Sequence, residues 1–143
     1  DWIKALPFEQ RLTLPDGTRL LGVHASPGRY DGTGIHPGLT TEQMRTLLAG
    51  CEADLVCVGH THCPLNLHVD GVHLVNLGCV SNPHPPDLRA GYAVLDADET
   101  GYQIEHRRVD YDREAVIALI RRVNYPNGEY LVDKLRGLHG PKW

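Results

Sequence analysis

A chain of 143 residues, 41% hydrophobic and with a net charge of −4, is long enough for one modest globular domain with a real core. That charge gives no basic footprint for nucleic acid, no apolar run is long enough to cross a bilayer, and the opening residues lack the basic and apolar regions of a signal peptide. Nine histidines beside one Phe and one Met are a lopsided set that points to metal chemistry, whereas Cys51, Cys57, Cys63 and Cys79 show no C-x-x-C spacing and read as reduced thiols of a cytoplasmic protein.

In chain order, residues 2–6 read as the end of a helix. Strands over 11–14 and 19–24 are joined by Pro15-Asp16-Gly17-Thr18, a turn sequence. Residues 25–38 hold four Gly and two Pro and form a long loop, a length that goes with function. Thr40-Thr41-Glu42-Gln43 fits a capping box opening a helix with Met44, Leu47 and Leu48 on its apolar face and Gly50 at its stop. Residues 55–58 are a short continuous apolar run, as in a strand buried on both faces.

Two hairpins follow, 65–69 with 73–77 around Asp70-Gly71, and 92–95 with 102–109 around Glu99-Thr100-Gly101. Asp112 is placed to cap a helix with Ala115, Val116, Leu119, Ile120 and Val123 as its core face. Pro126-Asn127 ends it, and Asn127 is placed to cap a last helix carrying Leu131, Leu135 and Leu138. Strands first and helices last imply an α+β fold.

Two apolar runs end alike. Leu20-Leu21-Gly22-Val23 meets His24, and Leu55-Val56-Cys57-Val58-Gly59 meets His60-Thr61-His62. Ligands gather beyond the carboxyl ends of such strands. Gly59 leaves room where the backbone turns. In extended geometry His60 and His62 would face one side, with His24 joining from a neighbouring strand. A single strand-end histidine is more often a satisfied polar residue than a ligand; the joint pattern is the stronger signal. Imidazole suits zinc, iron, manganese or nickel.

Val23-His24-Ala25-Ser26-Pro27 followed by Val58-Gly59-His60-Thr61-His62-Cys63-Pro64 resembles the last two motifs of the calcineurin-like metallophosphoesterases. The match is closest to their small bacterial and archaeal phosphodiesterase branch. Val75-Asn76-Leu77-Gly78-Cys79-Val80 resembles that branch's Asn-Pro-Gly-Ser stretch, with Leu77 for Pro and Cys79 for Ser. The resemblance implies part of a four-layer αββα sandwich. It implies two divalent metal ions, with His24 and His60 as ligands of one and His62 of the other, bridged by a carboxylate. The activity it implies is phosphoester hydrolysis, by a phosphodiesterase or phosphatase.

The family's Asp-x-His, Gly-Asp-x-x-Asp and Gly-Asn-His-Asp motifs lie N-terminal to the His24 motif. Only 23 residues precede His24, and none matches. Residues 1–143 are therefore expected to be the C-terminal portion of one domain, inactive alone, with no catalytic acid or base assigned within it. Its expected partners are a phosphoester substrate, the N-terminal half of the domain and a second copy of the chain, with no membrane and no nucleic acid. The rival reading is a non-catalytic protein-binding scaffold of the same fold, as the family's retromer subunit exemplifies. Among the other histidines, His36 reads as a solvated loop residue and His68 and His73 as surface residues; for His84, in Asn82-Pro83-His84-Pro85-Pro86, an approach to substrate is the weaker reading. His106 and His139 carry no pattern. Cys57 with Cys63 as zinc ligands, and Arg89 as a phosphate contact, are the weaker readings of those residues.

Overall fold

The computed structural model describes residues 2–141. A short 3₁₀ helix (Trp2–Ala5) replaces the expected helix end and buries no residue. Strands β1 (Glu9–Thr13) and β2 (Arg19–Val23) pair antiparallel. Their turn closes through the Leu14 N–H to Thr18 O at 2.9 Å and the Gly17 N–H to Leu14 O at 2.9 Å, with Gly17 at φ +89°. Helix α1 (Thr41–Leu48) begins in the expected capping box, in which Thr40 and Gln43 exchange side-chain and backbone hydrogen bonds.

Strands β3 (Leu55–Val58), β4 (Leu65–Val69) and β5 (Val72–Asn76) complete a five-stranded sheet in the order β1-β2-β3-β5-β4. The central three strands are parallel, and β1 and β4 are antiparallel edges. Asp70 and Gly71 both have positive φ, 48° and 87°, the conformation a tight Asp-Gly hairpin needs. Strands β6 (Ala90–Asp98) and β7 (Gly101–Val109) form a separate hairpin, longer than the sequence pattern implied.

Alternation along the strands sorts two cores. Leu21, Val23, Val56, Val58 and Leu74 form one core with Met44 and Leu48 of α1. Leu20, Leu55 and Val75 face the other way, against Tyr102 and Ile104 of the hairpin. Each face of the sheet is thus covered, which the apolar β3 run requires. His106 of β7 donates to the Asn76 carbonyl at 2.7 Å, and His73 bonds the Tyr102 hydroxyl at 2.8 Å. Both tie the hairpin to β5, so His73 is a joint between layers. His68 is the exposed one of that pair.

Helices α2 (Arg113–Arg122) and α3 (Gly128–Leu135) pack on each other around Ile117, Val132 and Leu135. Asp112 caps α2, accepting from the Ala115 N–H at 2.9 Å. The predicted faces need correction. Leu119, Val123 and Leu138 are exposed, and Ile117 and Val132 carry the burial instead. A two-helix contact needs only a narrow stripe, so the wider expected face is left to solvent. Asn127 also departs from expectation: it enters α3 in the left-handed region without a side-chain cap. The architecture is α+β, and among the described residues no helix is long and apolar enough to cross a membrane.

Candidate metal centre

His24 follows the last residue of β2, and His60 lies two past the end of β3. The two strands are parallel neighbours, so both histidines emerge at one sheet edge. The Gly59 N–H bonds the His24 carbonyl at 2.9 Å and fixes their approach. His24 Nε2 stands 3.1 Å from His60 Nδ1, with the rings edge to face.

The backbone of Gly59-His60-Thr61-His62 is not extended as expected. His60 and His62 sit at φ 60° and 62°, a region non-glycine residues rarely occupy and which clusters at functional sites. The two rings therefore diverge. His60 donates Nε2–H to the Gly32 carbonyl at 2.8 Å, and His62 donates Nδ1–H to the Asn82 carbonyl at 3.2 Å. A carbonyl only accepts, so each contact fixes a tautomer. The nitrogens left with lone pairs are Nδ1 of His60 and Nε2 of His62. A ring N–H given to a backbone carbonyl is the usual outer support of a metal-ligating histidine.

Two residues to which the sequence assigned no role at the histidines hold this turn. Asn76, at the end of β5, is fully buried. Its Nδ2 reaches Gly59 O at 2.8 Å, Thr61 Oγ1 at 2.9 Å and Ile35 O at 3.1 Å, and its Oδ1 accepts from the Gly78 N–H at 3.0 Å. Gly34, at φ +66°, lies against His60: a β-carbon there would meet His60 Cδ2 and Thr61 Cγ2, each at 2.8 Å. Only glycine leaves the His60 ring that room.

His60, His62 and His84 share an open cleft of about 710 Å³ with Asn82, Tyr130 and Lys134. The last helix thus contributes a wall that its sequence did not announce, and His84 lines the cleft as well. His36 is corrected: it is buried at 3% exposure beside Ile35, beneath the loop. Arg89 is held by Asp87 through two hydrogen bonds. Cys57 packs toward the hairpin core, where burial raises its thiol to about 11.

Burial, then His60 and His62, hold His24 below its ordinary value, which favours the neutral ligating form. His62 is raised, chiefly by a hydrogen bond with Cys79. Burial opposes the Cys79 thiolate, but His62 and the Asn82 N–H at 3.0 Å outweigh it and bring the thiol below its usual range. Lys134 lies near enough to oppose protonation of both His62 and His84.

The donor set fits an ion in part. Two nitrogens, each ~2.0–2.1 Å from one divalent ion, stand about 2.9–3.4 Å apart over octahedral to tetrahedral angles; the His24–His60 separation of 3.1 Å falls inside that span. His62 lines the same cleft but turns toward Asn82. Among the described residues no group of three or more His, Cys, Asp or Glu side chains is gathered to hold a metal.

Solved structures share the fold. A hypothetical protein of Pyrococcus horikoshii superposes with a TM-score of 0.79 at 19% identity, over 94% of this chain and 52% of that one. A metallophosphoesterase of Sphaerobacter thermophilus gives 0.76 at 24% identity, over 95% and 61%. Vps29 of Entamoeba histolytica, complexed with zinc, gives 0.51 at 16% identity, over 76% and 63%. This chain therefore spans between half and two thirds of the length of these three proteins. No curated protein matches it. The sequence model of the calcineurin-like phosphoesterase superfamily domain matches residues 1–100, and the chain belongs to that superfamily.

Proposed function

We propose that this chain supplies the histidine-bearing C-terminal part of a metal-dependent phosphoester hydrolase, a phosphodiesterase or phosphatase with a dinuclear centre. In this reading His24 and His60 hold one ion and His62 the other, and residues N-terminal to the chain supply the carboxylates. The ions are manganese, iron, zinc or nickel. The observation that carries the reading is the pair of carbonyl bonds on His60 and His62, which orient each ring and leave a lone pair on the other nitrogen of each.

Bound ions would supply an activated water and draw charge from the phosphoryl oxygens. The chain's own residues do the placing. Asn76 holds Gly59 and Thr61, Gly34 makes room for the His60 ring, and the Gly32 and Asn82 carbonyls aim the two imidazoles. No carboxylate lines the cleft among the described residues, and neutral imidazoles do not balance the charge of two dications. Trp2, Ile3 and Phe8, which precede β1 in the chain, are 73–76% exposed. Apolar surface on that scale is what a further layer or a second chain covers.

The test is turnover of p-nitrophenyl phosphate and bis-p-nitrophenyl phosphate, with each candidate metal, by this chain alone and by the domain with both halves present. The complete domain is expected to show metal-dependent hydrolysis and the chain alone next to none. Robust turnover by the 143-residue chain would overturn the division of the site, and no turnover by the complete domain would favour the scaffold reading.

A further inference from the structure

Tyr130 and Lys134 are four residues apart on α3 and share one helix face, while Val132 and Leu135 are buried against α2. Arg121 of α2 binds Glu129 at the start of α3 through two hydrogen bonds, at 2.9 and 3.0 Å. The helix is therefore fixed from behind, and its free face looks into the histidine cleft. Among the described residues lining that cleft, Lys134 is the one permanently charged side chain, and no carboxylate accompanies it. Arg19, Arg45, Arg89 and Arg121 each pair with a carboxylate. Lys134 instead has its ammonium over the Tyr130 ring, 5.8 Å from the centroid. That contact steadies a cation without neutralising it.

A cleft of about 710 Å³ is also far larger than a phosphoryl group needs and suits a whole small-molecule substrate. If the histidines mark the end where the reacting phosphoryl sits, the α3 wall meets the rest of the molecule, and it offers that part a positive charge.

We propose that Lys134, steadied by Tyr130, anchors a second phosphate on the substrate, so that the substrate class is a phosphoester carrying another phosphate beyond the one transferred. The proposal rests on the hydrolase reading for the position of the reacting phosphoryl group. Lys134 is a binding residue in it and takes no part in bond cleavage.

The experiment is calorimetric titration of the complete domain, in the presence of manganese, with pyrophosphate and separately with inorganic phosphate. The wild type, Lys134→Met and Lys134→Arg are compared. Methionine keeps the apolar stem and removes the charge; arginine restores a cation. Loss of one charge-assisted contact is expected to weaken pyrophosphate binding about tenfold in Lys134→Met. Inorganic phosphate is expected to change less than about twofold, and Lys134→Arg to recover most of the loss. Equal losses for both anions, or no loss for either, would overturn the proposal. Because binding is read without turnover, the two readings separate. A protein that hydrolyses phosphoesters yet is indifferent to Lys134→Met refutes the anchor alone. One that hydrolyses nothing yet keeps a Lys134-dependent preference for pyrophosphate refutes the hydrolase alone.

Discussion

Replacing His60 or His62 by alanine in the complete domain is expected to lower kcat by about three decades while leaving the fold intact. Each ring is half-buried at the cleft, so its removal is expected to cost little packing. What it removes is a nitrogen aimed by a backbone carbonyl. In the proposed chemistry that nitrogen holds an ion whose work lies in the transition state, where several kcal/mol of charge stabilisation is at stake. Excess metal is expected to restore part of the rate where only affinity is damaged. The control is His68→Ala. His68 stacks on His73, at 4.3 Å between centroids, on the β4–β5 hairpin and away from the cleft. That variant is expected to be nearly silent. Damage in His68→Ala equal to that in His62→Ala, or normal turnover in both motif variants, would move the site elsewhere.

Asn76→Ala is expected to be the most destabilising single change near the site, by about 3 kcal/mol. The side chain is fully buried, and all its polar atoms are engaged. Alanine would leave the Ile35 and Gly59 carbonyls without this donor and the Gly78 N–H without this acceptor, and it opens a small cavity. Asn76→Asp would keep the shape but set an acceptor against two carbonyls, so it is expected to be no better. Urea unfolding of the purified complete domain measures the loss as a lower midpoint at unchanged slope. A shift worth less than about 1 kcal/mol would mean that water or a rearranged turn replaces these bonds. The same bonds hold Gly59 and Thr61 on either side of His60, so metal affinity is expected to fall with stability.

What the sequence made legible was what depends on period and punctuation. The apolar runs of β2 and β3, the Thr40 capping box, the Asp112 cap and the Asp-Gly turn all act within a few residues. The meeting of His24 and His60 was legible for the same reason, since both follow apolar strands and parallel neighbours bring their ends together. The direction of His62 was not. It depends on two left-handed histidines, a conformation that no hydrophobic pattern specifies. The burial of His36 depends on how the Gly-rich loop folds back over Ile35. Asn76 looked like one more residue of a motif strand, because its three carbonyl and hydroxyl acceptors come from segments 15 to 41 residues away. Lys134 and Tyr130 lie in a helix whose own pattern speaks only of packing, and their place in the cleft follows from tertiary structure.

The central claim is that His60 and His62 ligate through the nitrogens their carbonyl contacts leave free. Its most direct test is nitrogen NMR of the histidine rings in the isotope-labelled complete domain, titrated with zinc. The account predicts that the metal-induced shifts fall on Nδ1 of His60 and Nε2 of His62, with Nε2 of His60 and Nδ1 of His62 still protonated and His68 unmoved. Shifts on the opposite nitrogens, or on His68 in place of His60 and His62, would contradict it.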